Sequence, residues 1–334
     1  MENLQKKSEQ FPVVSVITAL RNEKKYIRQC LESLICQDYP KDRYEIIIIN
    51  GMSIDGSREI VLEFQRKYKN IFLLDNPKRI YSSALNIGVT HARGSIIIKV
   101  DAHVRVTENF ISKNVEYLIK TGAACVGGVI ETRGEGFIGE AIALILNSFL
   151  GTGGAKFRYN HHYEGYTDTV PFGAYQKKVF DEVGLYNEKF VRCEDLDLHR
   201  RIKAKGGKFF ITPKIKSYYY CRNNIDGFIR QQFANGYEVM GVLDGISLRH
   251  IVPFFFVVSL LVSLFLARFS SIGKIIFGLI ILSYLFIIFI FSLIISFQKG
   301  WKYFLILPFL FFILHFSYGL GSVWGLLIFK KIKT

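Results

Sequence analysis

"SIIIKVDAHV", Ser95 to Val104, decides how this chain is read. An unbroken isoleucine series fits a strand buried on both faces, as the parallel strands of α/β proteins are. The strand ends at Asp101 and His103, and ligands bind just outside the carboxyl ends of such strands. Three further β-branched runs precede it, Val13–Thr18, Glu45–Asn50 and Ile71–Leu74. Helical patterns separate them at Lys24–Ile35, Ser57–Tyr68 and Ser82–Arg93. Strand and helix alternating at this spacing predict βαβ units, hence an α/β fold with a mostly parallel sheet.

Polar residues collect at the strand ends: Arg21, Asn22 and Glu23 after the first, Asn50 to Asp55 after the second, Asp101 and His103 after the fourth. One crevice is expected to gather them. In "NGMSIDGS" Asp55 is placed to cap the next helix, whose free N–H groups favour an anion; capping alone also accounts for it. Asp101 and His103 flank one residue, so an extended chain projects both side chains to the same side. That suits a divalent ion whose octahedron is completed by phosphate oxygens; a solvated turn is the plainer alternative. "CEDLDLHRRIKAKGGKFF" predicts a helix opening at Glu194-Asp195, an Asp197–Arg201 pair along it, and a strand from Lys208. The helix dipole keeps Glu194 and Asp195 ionised, and an ionised carboxylate can take a proton from a hydroxyl; an acidic N-cap is the alternative.

The chain has 334 residues, room for one large domain and an appendage. Beyond about residue 245 the composition changes. Ile251–Ala267, Ile275–Phe297 and Tyr303–Phe329 are apolar runs, each near the roughly 20 residues that cross about 30 Å of hydrocarbon. The expected organisation is a polar tail over residues 1–12, a catalytic domain over 13–245, and a membrane region over 246–334 with about three transmembrane helices. The polar N-terminus has no apolar signal segment, so the soluble part is expected at the cytoplasmic face of a cell membrane. Five cysteines without a C-x-x-C pair fit that reducing compartment. The net charge of +15 is dispersed and no nucleic-acid-binding signature is present, so nucleic acid is not the expected partner. Basic cytoplasmic loops, anionic lipid and phosphorylated substrates explain the charge better.

Three smaller features remain. Glu140–Gly154, "EAIALILNSFLGTGG", is too short to span and reads as a core helix or an interfacial one. His161 and His162 are adjacent, without the spacing of a zinc site. In "HFSYGLGSVWGL" Gly319, Gly321 and Gly325 suit close helix packing, and His315 is either functional or bonded to a neighbouring helix.

Together these motifs resemble the family 2 inverting glycosyltransferases of GT-A fold, and within them the ExoA-like branch that extends lipid-linked sugars for succinoglycan-type exopolysaccharides. "VSVITALRNE" resembles the first strand and nucleotide loop, "INGMSIDGSREIV" the second, and "NPKRIYSSALNIGVTHARGSIIIKVDAH" the segment leading to the D-x-D motif, here D-A-H. "VPFGAYQKKVFDEVGLYNEKFVRCEDLDLHRR" is similar to the acceptor-side strand and E-D motif. The resemblance implies a nucleotide-sugar site at Ala19, Arg21, Glu23, Asn50, Asp55, Asn86, Asp101 and Ala102, and a Mg2+ or Mn2+ ion at Asp101 and His103. It implies Asp195 as general base, assisted by Glu194. Asn50 and His103 replace the family's usual aspartates, and the Q-x-x-R-W motif of processive enzymes is absent, which points to one sugar per encounter. The expected activity is transfer of a hexose from a UDP-sugar to a polyprenyl-diphosphate-linked saccharide, alongside other polysaccharide-assembly enzymes. A polyprenyl-phosphate sugar synthase and an inactive sugar-nucleotide-binding scaffold are the alternatives.

Overall fold

A computed structural model describes residues 11–190, 192–242 and 247–332, the last four by backbone alone. Most of the polar tail, and Lys333 and Thr334, lie outside these residues. The chain divides into two units, residues 1–131 with 160–219, and 132–159 with 220–334. Residues 132–159 and 220–239 thus group with the apolar C-terminal helices in one compact unit.

The first unit is built on a nine-stranded sheet. Its strands are β1 (Val14–Leu20), β2 (Tyr44–Asn50), β3 (Ile71–Asp75), β4 (Ile96–Lys99), β5 (Val104–Val106), β6 (Cys125–Arg133), β7 (Gly165–Thr167), β8 (Ala174–Gln176) and β9 (Phe209–Tyr220), the last residues of β6 and β9 passing into the second unit. Helices are α1 (Ile27–Ile35), α2 (Ser57–Lys67), α3 (Tyr81–His91), α4 (Phe110–Thr121), α5 (Lys178–Val183) and α6 (Glu194–Ala204). The strand order is β3-β2-β1-β4-β8-β6-β9-β5, with β7 beside β9. The four β-branched runs pair in parallel, and β1, β2 and β4 are buried throughout, as two-sided burial requires. β8 pairs antiparallel with β4 and β6, and β9 pairs antiparallel with β5 and β7. The sheet is therefore mixed, and the parallel half is the part that the apolar runs foretold.

Register places the site. Leu20 pairs with Asn50, and Asn50 with Asp75, so β1, β2 and β3 end in one row. Lys99 pairs with Ile17, so β4 ends three residues short of that row. The chain after Lys99 therefore has space to turn at the sheet's carboxyl edge.

In the second unit three helices are long and apolar enough to cross a membrane: Leu248–Ala267, Ser271–Lys299 and the apolar part of Ile306–Ile332. The helices Gly136–Leu146 and Ile225–Val239 belong to the same unit. His315 is fully engaged, Nδ1 with the Tyr284 hydroxyl at 3.0 Å and Nε2 with the Leu150 carbonyl at 3.1 Å. Its role here is to join helices.

Candidate active site

The loops after β1 and β2 are stitched together by their own polar side chains. Asn22, with φ of +55°, donates its N–H to Ser53 Oγ at 3.0 Å and accepts from the Ile54 N–H at 2.9 Å. Asp55 accepts from the Lys24 N–H at 2.9 Å and the Ser57 N–H at 3.0 Å. Burial would raise the Asp55 pKa, but the Ser57 hydroxyl and these two N–H groups outweigh it and hold the carboxyl below its ordinary value. Asp55 thus anchors the start of α2, although Gly56 is the residue at the N-cap itself.

Asn50 and Asp75 stand side by side at the ends of β2 and β3. Asn50 is buried; its Nδ2 donates to Asp75 Oδ1 at 3.0 Å, and its Oδ1 accepts from the Ser53 N–H at 3.0 Å. Arg58 pairs with Asp75 Oδ2 at 3.2 Å. The guanidinium, then the Asn50 amide, hold the Asp75 carboxyl below the usual carboxylate range. A cavity of about 330 Å³ opens here, lined by Asn50, Met52, Ser53, Ile54, Arg58, Asp75 and Arg79. Met52 and Arg79 have φ of +57° and +59°, a left-handed conformation that costs a non-glycine residue of order 1–3 kcal/mol. Arg21 reaches the Arg79 carbonyl at 3.3 Å, and Ala19 is buried in β1 opposite Ile49. Asn86 is engaged elsewhere: its amide exchanges 2.9 Å hydrogen bonds with the backbone of Tyr186.

Of the two conformations the sequence offers for Asp101–His103, the structure has the turn. The Val104 N–H donates to the Asp101 carbonyl at 3.0 Å, closing a turn with Ala102 buried inside it. The stretch is not extended, and the two side chains have different partners. Asp101 Oδ1 accepts from the Tyr81 hydroxyl. His103 Nδ1 lies 3.3 Å from Glu23 Oε1, and its ring meets Tyr219 edge-on at 5.1 Å. Among the described residues no three His, Cys, Asp or Glu side chains gather as a metal cluster. The donor set fits a cation that takes one carboxylate from the protein and its remaining oxygens from phosphate and water.

The E-D pair is held by a residue that sequence reasoning passed over. Lys99, the last residue of β4, is buried, and its ammonium pairs with Glu194 Oε1 at 3.0 Å and with Asp195 Oδ2. It also lies 5.2 Å from the centre of the Tyr81 ring. Burial disfavours the ammonium, but Asp195, Tyr81 and Glu194 together hold the Lys99 pKa well above its ordinary value. Burial pushes the Glu194 carboxyl up, against the pull of Lys99. Glu194 Oε2 and Asp195 Oδ1 are buried without a hydrogen-bond partner. Such atoms are costly in a finished core and characteristic of a site awaiting a ligand. Tyr81, bonded to Asp101 and packed on Lys99, joins Asp101 to the Lys99–Glu194–Asp195 group.

α6 is fixed from behind. Arg201 pairs with Asp197 at 2.9 Å, as the spacing predicted, and donates to the Gly184 and Leu185 carbonyls at 3.1 and 2.9 Å. His199 is buried between the Thr169 and Tyr175 hydroxyls, each at 2.7 Å.

The model of glycosyl transferase family 2 matches residues 15–184. A Methanococcus voltae protein, dolichyl N-acetyl-alpha-D-glucosaminyl phosphate 3-beta-D-2,3-diacetamido-2,3-dideoxy-beta-D-glucuronosyltransferase, is 32% identical over 323 residues, covering 94% of this chain and 97% of its own. The chain belongs to glycosyl transferase family 2. This glycosyltransferase is also 30% identical over 232 residues to the succinoglycan biosynthesis protein ExoA of Rhizobium meliloti (strain 1021), covering 66% of this chain and 67% of that one. Among solved structures, the mannosyltransferase PcManGT of Pyrobaculum calidifontis, in complex with GDP-Man and Mn2+, superposes with a TM-score of 0.61 at 15% identity, over 94% of this chain and 87% of its own. That likeness supports the GT-A fold of this glycosyltransferase.

Proposed function

We propose that this glycosyltransferase transfers a hexose from a nucleotide sugar, a UDP-sugar, to a saccharide carried on a polyprenyl phosphate or diphosphate, with inversion at the anomeric carbon. The observation that carries the reading is Asp195 Oδ1, buried and unpartnered while the other oxygen of the same carboxylate is clamped by Lys99. In the reaction Asp195 takes the proton of an acceptor hydroxyl. The acceptor oxygen bonds to the anomeric carbon from one face, and the bond from that carbon to the diphosphate oxygen breaks on the other. Glu194 and Lys99 hold Asp195 in place. General-base assistance of this kind is worth about 10²–10⁴-fold.

The cavity beside Asn50 and Asp75 suits the donor's nucleoside, with Arg58 and Arg79 at its wall. Arg21, Glu23 and the backbone at Ala19 and Ala102 complete the donor site, while Asp55 and Asn86 shape it through the loops they hold. Asp101 would hold a divalent cation, Mg2+ or Mn2+, which neutralises the charge that grows on the leaving diphosphate. His103 is placed to assist through its pair with Glu23. The Methanococcus relative, named for a dolichyl-phosphate-linked sugar, and ExoA, named for succinoglycan biosynthesis, support a lipid-linked acceptor and polysaccharide assembly with partner enzymes. The apolar helices support attachment to a cell membrane, with the catalytic unit on the cytoplasmic side.

The test is an assay of membranes expressing the full chain, with radiolabelled UDP-sugars and a lipid extract as acceptor source. The expected product is a labelled lipid-linked oligosaccharide. Label attached directly to polyprenyl phosphate would replace the proposal with a synthase, and donor binding without any product would leave a scaffold.

A further inference from the structure

The helix Ile306–Ile332 has the length and composition of a third crossing, yet its neighbours place it otherwise. Leu248–Ala267 and Ser271–Lys299 form an antiparallel hairpin: Gly273 packs on Leu266, and Phe256 stacks on Tyr284 with ring centres 4.3 Å apart. That register sets Leu248 level with Ser292 at the hairpin's open end. About twenty residues on each limb then cover about 30 Å, one hydrocarbon thickness.

The third helix touches this ruler at several points. Phe304 meets Phe289 at 5.6 Å, a turn inside the open end. Tyr318 bonds His250 at 2.7 Å, again within a turn of the open end, and Gly319 abuts Pro253 close by. Between Phe304 and Tyr318 the chain travels about 20 Å as helix, and it gains almost no depth along the hairpin. The deepest contacts, His315 on Tyr284 and Gly319 on Val257, lie about 12–14 Å in by helical rise. A lengthwise crossing would carry Tyr318 far towards the opposite end. The third helix instead runs across the hairpin near its open end.

Its flanks agree. Gly236, Gly321 and Gly325 bring it against Ile225–Val239, where an added Cβ would strike the Tyr318, Phe233 and Tyr237 carbonyls. That helix carries Asp226 and Arg230, both exposed, and a crossing would draw them into hydrocarbon beside Gly321. At its other end, Glu140 of Gly136–Leu146 pairs with Lys302 at 3.4 Å and accepts from the Tyr303 hydroxyl. The exposed apolar residues of the third helix, Phe309, Phe312, Trp324 and Leu327, fall on one stripe through Phe316 and Leu320. The two hairpin helices expose apolar side chains around most of their circumference. One apolar stripe is the mark of a helix lying in the interface; a helix apolar all round is the mark of a span.

We infer that the hairpin Leu248–Lys299 alone crosses the bilayer, and that Ile306–Ile332 lies in the plane of one leaflet with its Phe309–Leu327 stripe against the lipid. On this inference the third apolar helix, long and apolar enough to cross, does not do so. Length and hydropathy are shared by spans and by long in-plane helices. Lys299, Lys302, Lys330 and Lys331 then share one side, as the bias of basic residues to cytoplasmic loops asks. The turn at Arg268–Lys274 lies on the other.

Cysteine labelling decides it. In full-length protein carrying Cys36→Ser, the four remaining native cysteines are buried. Single cysteines are introduced as Phe269→Cys, Trp301→Cys and Thr334→Cys, and intact cells are treated with a membrane-impermeant maleimide before and after permeabilisation. The expected pattern is reaction at position 269 in intact cells, with 301 and 334 protected until the membrane is opened. If 301 and 334 react together and 269 is protected, the orientation is inverted and the in-plane helix stands. If 334 reacts with 269 while 301 is protected, the third helix crosses and the inference is overturned.

Discussion

Lys99 shows how much a single residue can hold. It is a cation buried between two carboxylates, and removing one member of such a group leaves uncompensated charge, costing about 3–5 kcal/mol. Lys99→Met is expected to lower the melting temperature sharply and abolish transfer. Adding Glu194→Gln removes a buried carboxyl left without Lys99 beside Asp195, so the double variant should regain part of the stability and none of the activity; simple additivity of the two losses would refute the coupling. At His199 burial lowers the pKa from 6.5 to about 4. The unfolded chain takes up that proton below pH 6.5 and the folded one only below about 4, so stability falls as pH drops through this window, by about 3 kcal/mol in all. His199→Gln should flatten the dependence of the melting temperature on pH between 6.5 and 4; an unchanged slope assigns it to other groups. The Asp101 carboxylate is a harder ligand than the His103 imidazole, which is paired with Glu23. In calorimetric titration with UDP and Mn2+, Asp101→Ala should therefore weaken binding more than His103→Ala, and equal affinity in EDTA would remove the metal. The sequence displayed Asp101, Glu194 and Asp195 because carboxylates at strand and helix ends are conspicuous. It hid Lys99, since a lysine in "IIIKV" gains its meaning only when residue 194 arrives beside it.

At the scale of elements, β1 to β4 were readable because strands buried on two faces are written as unbroken apolar runs. β8 was legible only through the resemblance, since three residues, Ala174–Gln176, carry no period. The sequence leaves Asp101–His103 open between an extended chain and a turn for a related reason: two polar residues flanking an alanine leave the backbone undetermined. The glycines of the third apolar helix were legible as packing residues, and their partner, the helix Ile225–Val239, was not. Gly236→Val should break that contact, because its Cβ meets the Tyr318 carbonyl, and overpacking of this kind costs about 1–3 kcal/mol. Gly278 has nothing within 4 Å of an added Cβ. Gly278→Ala should melt at the wild-type temperature, and equal losses in the two variants would show that the contact is not the cause.

Across the whole molecule, composition announced an α/β unit and an apolar region. In sequence the segment 136–146 reads as part of a core or interfacial helix and 225–239 is polar, and both fold with the apolar helices. The central claim remains chemical: a catalytic unit in which Asp195 removes the acceptor's proton while donor binding is assembled on other residues. The direct measurement is single-turnover transfer of labelled sugar by Asp195→Asn, with UDP binding followed on the same preparation. The account predicts UDP affinity within a few-fold of wild type and transfer slowed by about 10²–10⁴-fold. Transfer within a few-fold of wild type, with binding intact, would contradict it.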